Sequence, residues 1–428
     1  MNCRGKQYLV SALCITLYTA IQVCSAEEPL VWTDCVKESL TNNPDLVSAV
    51  ESVRQGESRV RVAKSGLLPN ISSSLSGDRS GSDQAGTDNS FSVGVNAKQL
   101  LYDGGKTSLN KDSAQEQLNA AKFKYDVTSA NVRRGVRLAF IDLLKAQRQV
   151  TITEDILARR KQSTRLIRLR YEGGREHKGS LMTAEAKEAQ AEFDHIQAGR
   201  NVAMAQSTLA ELLGRRLDKG IFGLSVKGDL VPSSIDVEQP DFWGIAESTP
   251  LVRELWAQSN IAKLGVKSAK AEFYPGIYAN AAASRNSSDW PPDQDQWSVG
   301  MSMSFPLFEG GSRVAELDRV KSVLRQADSD LKSGLLSAAS TLQVRWISMR
   351  NASDRVKVRE KFLDAARERA RIAEGQYSAS LIVFDSWIII EDDFVLSDQS
   401  LLEAQAAALI AEAEWVQAKG GTLENEVK

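Results

Sequence analysis

The sequence predicts a mainly α protein with a smaller β component, arranged as a tandem duplication with two long helical hairpins and four strands. Three observations predict it. Matching residues recur at a single offset of 206 positions, the stretches from Asp103 to Tyr171 and from Glu309 to Tyr377 contain no proline, and a segment of period-two alternation precedes each stretch.

The offset holds in order along the chain. Pro44 matches Pro250, Ala63-Lys64 matches Ala269-Lys270, and Pro69 matches Pro275. Ser92-Val93-Gly94 matches Ser298-Val299-Gly300, Gly104-Gly105 matches Gly310-Gly311, Tyr171 matches Tyr377, and Gly214 matches Gly420. With 428 residues, of which 25% are charged and 42% hydrophobic, the chain is too long for one compact core and too ordered in composition for bulk disorder. The 53 Lys and Arg against 55 Asp and Glu give no electrostatic pull toward nucleic acid.

Residues 1–26 read as a signal peptide: Arg4 and Lys6 are the positive region, Leu9 to Val23 the apolar one, and Cys24-Ser25-Ala26 the small-residue cleavage site. Val23 before Cys24 argues against lipidation. Cleavage leaves Cys35 alone, so no intramolecular disulfide is expected. The first structural repeat then spans 27–214, an equatorial-type linker 215–243, the second repeat 244–420 and a C-terminal tail 421–428.

Each repeat follows one grammar. Asn43-Pro44 opens a helix to about Gly66, because proline suits a first helical turn. A strand pair follows, within 68–102 in the first repeat and 274–308 in the second. Phe91, Val93, Val95 and Ala97 alternate with Ser92, Gly94, Asn96 and Lys98; Trp297, Val299, Met301, Met303, Phe305 and Leu307 alternate with Ser298, Gly300, Ser302, Ser304 and Pro306. At about ten residues these strands can cross a bilayer, though a half-buried soluble strand has the same pattern. Polar loops are expected at Gly77–Asn89 and Arg285–Gln296.

The proline-free stretches would reach roughly 100 Å as continuous helix. Positions 114, 118, 121, 125, 128 and 132, then 136, 139, 143, 146 and 150, form a seam near period 3.5 with an extra four-residue step. Each helix turns at Tyr171-Glu172-Gly173-Gly174 or Tyr377-Ser378-Ala379-Ser380, the first turn reading as the longer, and returns as a shorter helix ending near Gly214 or Gly420.

Catalytic chemistry finds little footing. His177 and His195 stand 18 apart with Cys35 as the one mature cysteine, which indicates neither a zinc set nor a Cys-His pair. Gly104-Gly105-Lys106-Thr107 mimics the end of a phosphate loop, but Leu100 occupies the place of its first glycine. Glu391-Asp392-Asp393 reads as a solvated helix face. No cofactor or metal is expected, and the chain is read as a non-enzyme.

Four strands cannot close a barrel, and a membrane tolerates no unpaired edge, so other copies must complete the sheet. The order of signal peptide, duplicated strand pairs and duplicated long hairpins, with Ser39-Leu40-Thr41-Asn42-Asn43-Pro44 near the start and paired glycines after the second and fourth strands, resembles the TolC-like outer membrane factors. The resemblance implies a homotrimeric α-barrel/β-barrel channel-tunnel in the outer membrane, extending into the periplasm. It implies an exit duct of a tripartite efflux or type I secretion system, fed by an inner-membrane pump of RND or ABC type through a periplasmic adaptor. Gly104, Gly105, Gly310 and Gly311 would be the strand-to-helix bends. Tyr171, Gly173, Gly174, Arg175, Tyr377, Ser378 and Ser380 would form the periplasmic tip that meets the adaptor, and Asp385 a pore gate. Ser380 and Ile382 stand where the family often carries Gly and Arg. The competing expectation is a periplasmic coiled-coil adaptor or spacer without a barrel.

Overall fold

The structure, a computed structural model, describes residues 28–82, 86–216, 223–232 and 238–426; the expected signal peptide lies outside them. The elements are α1 (Trp32–Asn42), α2 (Pro44–Ser65), β1 (Asn70–Ser82), β2 (Gly86–Tyr102), α3 (Lys106–Glu172), α4 (Lys178–Leu212), α5 (Phe242–Ser248), α6 (Pro250–Ala271), β3 (Gly276–Ser287), β4 (Gln294–Ser304), α7 (Ser312–Ser378), α8 (Phe384–Ala418) and a 3-10 turn at Leu423–Glu426. The offset of 206 carries through to these bounds: α2, α3 and α4 map onto α6, α7 and α8 at both ends. At 67 residues each, α3 and α7 extend about 100 Å.

The helices form an open layer of four columns. α3 packs between α2 and α4 on one side and α6 and α8 on the other, and α7 closes the row against α6 and α8. α2 continues the line of α4, because the Asn43 side chain caps α2 by accepting from the Asp45 and Leu46 amides while its Nδ2 donates to Leu212 O at 2.9 Å. At the matching place in the second repeat, a Cβ on Gly420 would lie 2.3 Å from Pro250 Cδ, so α8 abuts α6 equally closely.

The two main cores occupy repeat-equivalent positions with different residues. In the first, Val36, Val136, Phe140, Leu143 and Leu209 are buried with Leu224 and Val226 from the linker. In the second, Phe242, Leu342, Trp346, Met349 and Trp415 fill the corresponding places. The predicted seam of α3 is at least partly buried throughout. Near its middle, however, Ser129, Ala130, Arg133, Phe140 and Ile141 are buried as well, because the linker, α8 and the C-terminal turn close on α3 from several sides.

The sheet order is β1-β2-β3-β4, antiparallel throughout, with β2 pairing β3 across the repeat junction. Two sequence expectations change here. The expected loop 77–89 is mostly strand, with pairs running from Gly77↔Phe91 to Ser82↔Gly86. β4 stops at Ser304, so Phe305 and Leu307 leave the ladder around Pro306, which has no amide hydrogen to donate. Within the C-terminal tail, the described residues 421–426 pack onto the helical layer: Leu423 is fully buried, Glu424 accepts from Tyr125 and Ser129, and Glu426 accepts from Trp32 and Arg133. Among the described residues, no helix is long and apolar enough to cross a membrane.

Candidate functional site

Directly opposed residues on antiparallel strands share a face, so the register sorts the sheet in two. One face carries Ile71, Leu75, Phe91, Val93, Val95, Ala97, Ile277, Ala279, Ala281, Ala283, Trp297, Val299, Met301 and Met303. Its outer strand stands clear of the chain, with Trp297 82% and Met301 77% exposed. From Trp297 to Met303 the apolar run is about 20 Å long at strand rise. Aromatic residues flank it at both ends: Trp290 meets Phe91 edge-on at 6.0 Å near one, and Tyr102, Phe273 and Tyr274 lie near the other. The opposite face presents Asn70, Ser72, Ser74, Asn96, Asn280, Ser284, Ser298 and Ser302. β1 and β4 are free edges.

The paired glycines stand between strand and long helix in each repeat, in matching left-handed conformations: φ is +68° and +85° at Gly104 and Gly105, and +60° and +84° at Gly310 and Gly311. Their surroundings differ. A Cβ on Gly104 would meet Ala271 O and Tyr274 Cβ at 2.8 Å, whereas at Gly310 it would meet open space. Asp103 accepts from the Gly105 and Thr107 amides and from the Thr107 hydroxyl, capping the start of α3. Lys106 pairs with Glu272 at 2.8 Å, which occupies the lysine of the phosphate-loop mimic.

At the far end the two hairpin turns lie side by side. Each closes with the same pair of backbone bonds: Gly174 N to Tyr171 O and Arg175 N to Arg170 O in one, Ser380 N to Tyr377 O and Leu381 N to Gln376 O in the other. The turns are therefore equal in length, correcting the expectation that the first is longer. Ser380 holds φ +62°, the one non-glycine residue described in that region of backbone space. Tyr171, Gly173, Gly174, Arg175, Ser378 and Ser380 are exposed.

Tyr377 is not. It is 1% exposed, which removes it from the expected contact surface. Its ring stacks on Trp387 at 4.6 Å and meets Phe384 edge-on. Its hydroxyl donates to Glu176 Oε2 at 2.9 Å, and the Arg170 guanidinium lies 4.4 Å from its ring centre while donating to Ser378 O at 3.0 Å. Tyr377 thus joins the two hairpins. Burial and the Glu176 carboxylate push its hydroxyl up to about 12, against the opposing pull of Arg170. For Glu176, burial works upward but is outweighed by hydrogen bonds from Ser180 and Tyr377, so its carboxyl sits below the usual range.

Arg170, Glu176 and Trp387 were not singled out by sequence. The available signal is a difference between repeats: Lys178 and Leu181 stand where the second repeat has Phe384 and Trp387, so only the second tip can enclose its tyrosine. Asp385 lies exposed in the first turn of α8, outside the Tyr377 cluster. The apolar stretch 381–390 divides, with Phe384, Trp387 and Ile388 buried and Leu381, Val383 and Ile389 exposed.

The expected solvated face at 391–393 is corrected. Glu391 is 7% exposed, and its carboxyl is held above the ordinary range chiefly by burial, against the attraction of Arg159 and Arg160. Asp392 joins Arg160 of α3 at 2.7 Å and Lys187 of α4 at 2.8 Å. Of the histidines, His177 caps α4 by accepting from Ser180 N, and His195 lies 3.3 Å from Thr153 Oγ1. Cys35 is buried, and burial together with Glu38 and Asp34 pushes its thiol up to about 12.

Comparison with known proteins gives one consistent result. Residues 35–215 and 245–382 match the family model described as outer membrane efflux protein. The chain is 23% identical over 403 residues to the outer membrane efflux protein BepC of Brucella suis, covering 91% of this chain and 85% of that one. It is 25% identical over 353 residues to the alkaline protease secretion protein AprF of Pseudomonas aeruginosa, covering 77% and 72%. The fold is similar to that of the open state of the Neisseria gonorrhoeae MtrE outer membrane channel, with a TM-score of 0.81 at 20% identity, covering 92% of this chain and 90% of that one.

Proposed function

The chain belongs to the outer membrane efflux protein family, and from that premise we propose that three copies form one duct through the outer membrane and periplasm. The duct takes substrate from an inner-membrane pump of RND or ABC type and its periplasmic adaptor, and releases it outside the cell. The observation that carries this reading is a sheet with one apolar face uncovered and two free edges, joined to a helical layer that is equally open at α7 and at the α2–α4 column. Lipid satisfies the apolar face, and pairing of β1 with β4 of the next copy satisfies the edges. The same rotation brings α7 against the neighbouring α2–α4 column, closing both layers at once.

In this assembly the Ser- and Asn-rich face lines the pore. The exposed tip residues Tyr171, Gly173, Gly174, Arg175, Ser378 and Ser380 are assigned to adaptor contact, and Asp385 to the periplasmic entrance. The chain is given no catalytic role; energy for transport comes from the pump. The adaptor-like alternative lacks support, since a periplasmic spacer without a barrel has no use for an uncovered apolar sheet. Cysteines placed singly along β1 at Ser72–Ser76 and along β4 at Ser298–Ser302 test the closure. At one register, paired substitutions should yield disulfide-linked trimers in outer membranes; absence of cross-linking at every register would overturn it.

A further inference from the structure

The pore-facing wall of the sheet is nearly free of charge, and its few charges are sorted by height. Among the described strand residues on that face, Asp78 and Asp88 sit at the hairpin end and Lys98 at the helix end. Between them stand only Ser, Asn, Gly, Gln and Ala on all four strands. Lys98 is exposed, makes no ion pair among the described residues, and holds its ammonium 4.2 Å from the centre of the Tyr278 ring. The ten residues from Asp88 to Lys98 correspond to about 33 Å of strand. That is several times the screening length of about 8 Å at physiological salt, so the acids do not neutralise the lysine. The nearest carboxylate along the strand, Asp103, is occupied by the amides and hydroxyl at the start of α3.

We propose that Lys98 is a specificity-determining residue of the duct, favouring cargo that carries an anionic group where the helical tunnel opens into the membrane barrel. The inference rests on the trimeric duct, in which three Lys98 side chains form one ring and their fields add. Tyr278 fixes the ammonium against the wall, and no carboxylate among the described residues pairs with it. The hydroxyl and amide groups above it favour neither sign, so the ring sets the local preference.

A reporter on the same wall reads this directly. Ser302 lies opposite Tyr278 in the register and is exposed, and native Cys35 is fully buried. In lipid-embedded protein carrying Ser302→Cys, the reaction rates of the anionic ethylsulfonate and cationic trimethylammonium-ethyl methanethiosulfonates are measured against protein without the substitution. Lys98→Gln should lower the anion-to-cation rate ratio about fivefold at low salt, the size expected for a unit charge roughly 8 Å away in water. Lys98→Arg should preserve the ratio, and the difference should shrink at 1 M salt, where the screening length is about 3 Å. A reactive cysteine whose ratio is unchanged by Lys98→Gln overturns the role of Lys98 alone. A cysteine that reacts with neither reagent shows that this wall does not face water, and overturns the duct together with the proposal.

Discussion

Ser380 is the residue at which the two repeats differ most simply. It occupies the left-handed position that Gly174 fills in the first repeat, where a side chain costs about 1 kcal/mol or more. Ser380→Gly is expected to stabilise the second turn by somewhat less than that, because the 3.3 Å hydrogen bond from Arg170 is lost; thermal unfolding checks it. Tyr377→Phe removes the bond to Glu176 and should weaken the contact between hairpins by about 1 kcal/mol. In the duct this should appear as higher or noisier single-channel conductance. Glu391 gives a pH signature. Its carboxyl is raised in the folded state, so its contribution to stability is present below the unfolded value near 4.3 and lost as pH rises through the folded value. Glu391→Gln should therefore raise Tm at neutral pH, and the gain should vanish as the pH approaches about 4.

At the scale of elements, the strand-to-helix bends are equivalent in backbone but not in crowding. Gly104→Val should impair folding or assembly severely, since its Cβ would strike Ala271 O and Tyr274 Cβ at 2.8 Å, while Gly310→Val meets only the strain of a positive φ. Yields of assembled protein on native gels should separate the two. The long helices, their turns and the paired glycines were legible in the sequence, because proline-free runs and a fixed offset are local signals. The reach of β1 and β2 was not: Gly77, Asp78 and Ser80 look like turn residues, yet the ladder accepts Asp78 and Ser80 on its polar wall and Gly77 opposite Phe91 on the other face. Deleting 77–89 would therefore remove paired strand and should reduce assembly, whereas removing the opposed residues Gly81 and Thr87 together, which keeps the register, should be tolerated. The burial of Tyr377 was hidden for another reason. It depends on Trp387 and Phe384 folding back from the next helix, and on Arg170 and Glu176 arriving from the other repeat.

At the scale of the whole molecule, every open feature points the same way. Among the described residues, the sheet ends in two free edges, the helical layer ends in two free columns, and the apolar face has no cover. In the proposed trimer one rotation that closes the sheet also closes the helices, so the tandem duplication and the oligomer would belong to one design, with six repeats making a ring from three chains. The central claim is that ring. Its most direct test is the oligomeric mass of the purified, detergent-solubilised protein, followed by single-channel recording of the same sample in a lipid bilayer. A trimer that conducts is the predicted result. A monomer or dimer that inserts without conducting, or does not insert at all, would contradict it.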